Sequence, residues 1–100
     1  MKRKPIPKNI RDLALMELKA CLEARIREKG DGAFVSIHEM RGVLSEEWQE
    51  VKEAMHLKQQ GLIEAELMDL AVGAIFAYAC LRSPCSSPLT AWPSTPWPRR

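Results

Sequence analysis

Apolar residues recur at helical spacing in the first third of the chain. Leu15, Leu18, Leu22 and Ile26 fall on one stripe, with Ala14 and Cys21 beside them, and predict a helix over residues 9–29. Asn9 is a plausible N-cap, and Asp12 suits a first turn, where the helix dipole favours an acid. Leu13 and Met16 lie off the stripe and predict a second contact surface. Arg27 and Lys29 suit the last turn, and Gly30-Asp31-Gly32 stops the helix.

The pattern then shortens. Residues 33–35 are apolar and fit a brief strand or packing segment. Ser36 followed by Glu39 is a capping box, in which each side chain bonds backbone N–H groups of the other. It opens a short second helix with Ile37, Met40, Val43 and Leu44 as apolar positions, and Gly42 marks its weak end. Ser45 caps a third helix with Glu46 and Glu47 in its first turn and Trp48, Val51 and Met55 on one face, so Trp48 is expected in the core. Gly61 is expected to end it. Residues 62–68 alternate in part, Ile63, Ala65 and Leu67 against Glu64 and Glu66, as in a half-buried strand. Residues 69–73 then form a turn. Residues 74–81 return as a strand favoured by Ile75, Phe76 and Tyr78, although Ala71, Ala74, Ala77 and Ala79 argue for helix there.

At the ends the pattern stops. Residues 1–8 combine basic residues with Pro5 and Pro7 and predict a flexible arm. Residues 83–100, rich in Pro and Ser and carrying Trp92 and Trp97, predict a disordered tail. One domain over residues 9–82 is therefore expected.

Three clusters carry a family resemblance: Phe34-Val35-Ser36-Ile37-His38-Glu39-Met40, Leu44-Ser45-Glu46-Glu47-Trp48, and Leu57-Lys58-Gln59-Gln60-Gly61-Leu62-Ile63. With the order helix, short strand, helix, helix, hairpin, they resemble the winged-helix branch of helix-turn-helix proteins. The resemblance covers residues 9–81. It implies an α+β, mainly α fold of three helices and a C-terminal β-hairpin wing, and the function of a small DNA-binding transcriptional regulator, homodimeric through Leu13 and Met16 of the first helix. It also implies that the third helix enters the major groove, with Gln49, Lys52 and His56 facing it.

Charge sharpens this expectation and divides it. Residues 1–30 hold nine Lys/Arg against four Asp/Glu, a balance of +5, whereas residues 31–69 hold three against nine, a balance of −6. Lys2, Arg3, Lys4, Lys8 and Arg11 can follow phosphates. Glu46, Glu47, Glu50 and Glu53 would repel them, and the wing turn has no basic residue. The acidic third helix and bare wing therefore support an alternative, a protein-interaction module that binds a basic partner rather than DNA.

Other functions have less to stand on. His38 and His56 are lone imidazoles, and no phosphate-cradling loop or nucleophile motif is present, so no enzyme and no cofactor are expected. Cys21, Cys80 and Cys85 have no companion pair for a zinc site and suit free thiols in a reducing, cytoplasmic setting. The longest uncharged apolar run, residues 70–81, is twelve residues, short of the roughly 20 needed to cross a membrane.

Overall fold

A computed structural model describes residues 2–83. Among these there are three helices and no strand: α1 (Lys8–Lys29), α2 (Ile37–Leu57) and α3 (Gln60–Arg82). The chain divides into two compact units, Met1–Asp31 and the remainder from Gly32. The predicted tail lies outside the described residues from residue 84 onward.

The first unit is α1 and its leader. The helix starts one residue before its predicted start, with Pro7 rather than Asn9 at the cap and no side-chain capping bond. A proline before the first turn needs no N–H of its own, so it fits the position. Asp12 falls beyond the first turn and pairs instead with Lys8, Nζ to Oδ2 2.8 Å, across one exposed helical turn. The predicted stop holds: Gly30 has φ 84°, and its N–H donates to Ile26 O at 2.7 Å. None of the α1 side chains is buried.

The second unit is an αα-hairpin, and here the winged-helix expectation fails. The second and third predicted helices are one helix, α2, which runs through Gly42 and Ser45 without a break. A mid-helix glycine costs about 1 kcal/mol. Met40, Leu44, Val51 and Ala54 keep one helical face across it, and Met40, Val51 and Ala54 are buried. The two predicted wing strands and their turn are likewise one helix, α3. Its buried residues Val72, Gly73, Ala77 and Cys80 recur at helical rather than alternating spacing, and the alanines supply helix propensity. Gly61 does not end α2 but sits in the first turn of α3. The stop is Lys58, whose left-handed φ of 57° directs its N–H to Ala54 O and Met55 O, each 3.1 Å away.

Contacts along the seam show that α2 and α3 run antiparallel. Met40 near the start of α2 shares a cluster with Ala77 and Cys80 near the end of α3, joined by Ile37, Leu44, Phe76 and Leu81. Residues 33–35 form no strand. Phe34 serves as a packing residue, its ring edge-on to Phe76 with centroids 5.4 Å apart and planes at 83°. One arm of the capping box forms as expected at the start of α2, and the other shifts by one residue. Ser36 Oγ accepts from Glu39 N at 3.0 Å, and Glu39 Oε1 accepts from Val35 N at 2.8 Å, one residue ahead of the cap. Trp48 is 47% exposed rather than in the core, because it lies off the face that carries Val51, which is 0% exposed. Lys52 Nζ stands 5.7 Å from the Trp48 ring centroid.

Two substitutions of opposite sign test this account of the hairpin. Ser36→Ala removes the cap and is expected to lower stability by about 1 kcal/mol. Lys58→Gly relieves a left-handed backbone that costs a side-chain-bearing residue about 1 kcal/mol, and is expected to raise stability by up to that amount. Urea denaturation followed by circular dichroism reads both.

Candidate functional site

The polar chemistry of the second unit gathers along the α2–α3 seam. Gly73 marks the closest approach. A Cβ built there would collide with Glu47 Oε1, and would lie 3.3 Å from Glu47 Cδ and 3.4 Å from Leu44 Cδ2. The absent side chain therefore leaves room for the Glu47 carboxylate, whose Oε1 is buried. A carboxylate inside a helix–helix seam is an expensive choice, since charge loses hydration there.

One turn further along, more acids follow. Glu47 level with Gly73, in an antiparallel hairpin, puts Glu50 and Glu53 of α2 level with Asp69 and Glu66 of α3. The electrostatics agree. The Glu66 carboxyl is held above its ordinary value, first by lost hydration at the seam and then by the charges of Glu50, Asp69 and Glu53. Glu50, Asp69 and Glu53, from both helices, thus bear on Glu66. Acids three apart, Glu47 and Glu50 on α2 and Glu66 and Asp69 on α3, lie on one side of each helix. Among the described residues, no three His, Cys, Asp or Glu side chains are already gathered closely enough to hold a metal ion.

On the side of α2 turned away from Glu47 and Glu50 lies a shallow, open groove of about 450 Å³, lined by Gln49, Lys52, Glu53, His56 and Leu57. It unites three residues expected to act together, Gln49, Lys52 and His56, but on the middle and last turns of a 21-residue helix, with no wing beside them. Glu53 borders both the groove and the acidic seam. The remaining expected residues, Lys2, Arg3, Lys4, Lys8 and Arg11, are exposed in the first unit, with Lys8 engaged by Asp12. Leu13 and Met16 of α1 are exposed as well.

Sequence reasoning missed Glu66 and Asp69 because it placed them on a strand and in a turn. It met Glu47 and Glu50 only as charges that repel phosphate. The signal that finds them is the pair of acids three apart, repeated on two amphipathic helices joined by a short link.

No family model, curated protein or solved structure matches the chain. Nothing in these comparisons identifies a winged-helix superfamily. Among the described residues, no helix is long and apolar enough to cross a membrane.

Glu50→Gln is expected to lower the Glu66 pKa toward the ordinary carboxyl value, as read by carbon-detected NMR titration. The folded chain holds the Glu66 proton more tightly than the unfolded chain does. The charged carboxyl therefore costs stability in full above its folded pKa, and the cost is relieved as pH falls from there through the unfolded value. An unchanged Glu66 titration in the variant would mean that Glu50 does not act on it.

Proposed function

We propose that the α2–α3 hairpin binds a divalent cation through Glu47, Glu50, Glu66 and Asp69, and through that ion a phosphate-bearing ligand. The observation that carries the reading is the close approach of α2 and α3 at Gly73, which sets Glu50 and Glu53 level with Asp69 and Glu66; Glu50, Asp69 and Glu53 bear on Glu66 accordingly. Like charges brought together across a seam cost stability, and a hard divalent cation is the species that offsets the cost. Gly73 keeps room for the Glu47 carboxylate, which adds an acid at the closest approach of the two helices. Facing helices of a bundle are a recurrent source of carboxylate ligand sets. Long Glu side chains reach inward by changing rotamer, so the ion itself draws the set together.

The groove suggests what the ion would hold. Magnesium keeps few protein ligands and completes its shell with water and substrate phosphates. Lys52 supplies positive charge, His56 an imidazole N–H and Gln49 a neutral amide, in a groove that meets the acids at Glu53. In this reading the acids bind the metal, and Lys52, His56 and Gln49 bind the phosphate. The regulator reading loses its wing and separate recognition helix with that fold; the exposed basic residues Lys2, Arg3, Lys4, Lys8 and Arg11 are what still favours it.

Calorimetric titration of the folded chain with Mg²⁺ and Mn²⁺ tests the proposal. Saturable binding is expected, weakened about tenfold or more by Glu50→Gln, Glu66→Gln or Asp69→Asn, since ligand charge sets cation affinity. Inorganic phosphate added to the cation-loaded chain is expected to bind, and Lys52→Ala with His56→Ala to weaken the phosphate step alone. Absence of cation binding by a folded chain would end the proposal. Cation binding without phosphate binding would end its second half.

A further inference from the structure

The face of α3 turned away from the seam has its own pattern. Leu67, Ala71, Ala74, Ile75 and Tyr78 follow one another at helical spacing and form a single stripe. The buried residues Val72, Gly73, Ala77 and Cys80 lie on the far side of the same helix. Leu67 is 43% exposed, Ile75 37% and Tyr78 60%, and Ala74 is exposed between them. An apolar row with small residues at its middle is an open surface shaped for another helix to approach closely.

The ends of the stripe say which helix. Glu64 precedes Leu67 and Arg82 follows Tyr78, and the two lie eighteen positions apart, five full helical turns, so both continue the stripe. We infer that α3 pairs antiparallel with α3 of a second copy of this chain. A two-fold axis at the level of Gly73 sets Glu64 of each copy beside Arg82 of the other. The same axis sets Ala71 against Ile75 of the second copy and brings the two Ala74 residues near the centre. Ile75 of each helix then lies over Ala71 of the other, and Leu67 falls beside Tyr78. A parallel arrangement would put Glu64 against Glu64 and Arg82 against Arg82, so the charges choose the antiparallel one. The surface differs from the α1 residues Leu13 and Met16 that the sequence singles out, and it does not depend on cation binding.

One helix pair about 27 Å long is a small interface, and the dimer is expected at about micromolar concentration. Sedimentation equilibrium of the full chain over a concentration series tests it, with circular dichroism confirming helix content. Ala74→Glu puts two carboxylates at the axis and is expected to give a folded monomer. Glu64→Arg or Arg82→Glu alone is expected to raise the dissociation constant about tenfold, by replacing two attractive pairs with two repulsive ones. The double reversal, Glu64→Arg with Arg82→Glu, is expected to restore it. A chain that stays monomeric throughout overturns the inference. So does a dimer indifferent to Ala74→Glu, which would move the interface to another surface such as α1, and so does failure of the double reversal to rescue.

Discussion

The close approach of α2 to α3 at Gly73 is the constraint on which the second unit depends. Bringing two helices together at a glycine fixes the register of the hairpin, and the register decides which acids stand level. It is also where packing and charge conflict. Val51 and Ala54 are fully enclosed, so the seam behaves as a small core, yet Glu47 shares the face with them. A side chain at Gly73 would have to displace that carboxylate. The pattern is that of a seam compromised locally in favour of a charged group, and such compromises mark functional positions more often than structural ones.

The hairpin sorts its polar groups by direction. Acids collect along the seam, where Glu50, Glu53 and Asp69 bear on Glu66. The groove residues Gln49, Lys52 and His56 stand on the side of α2 turned away from the seam. The apolar stripe of α3 is turned the other way. A short helical unit thereby presents three chemically distinct faces, one acidic, one mixed polar and one apolar.

How much of this could be read from the chain depends on the element. The first helix, its Gly30 stop and the Ser36–Glu39 box were all legible, because each rests on local backbone chemistry that needs no tertiary partner. The break in the middle of α2 was misread, since Gly42 and Ser45 look like an end and a beginning while the apolar face runs on past both. Residues 62–81 were misread because short alternation, β-branched Ile75 and aromatic Phe76 and Tyr78 mimic strands. The alanines carried the correct answer, and burial at helical spacing decided it. Of the candidate residues, the groove trio was found through a resemblance whose fold proved different, and the seam acids became visible only when both helices were known.

The link between α2 and α3 consists of Lys58 and Gln59 alone. Every other residue from Ile37 to Arg82 is already helical. If those two residues took right-handed helical angles, the hairpin would open into a single rod of about 70 Å. The rod would expose the whole seam, and two such rods could rebuild it by exchanging α3 segments. The left-handed turn at Lys58 and the extended Gln59 are therefore what keeps two long helices from being one.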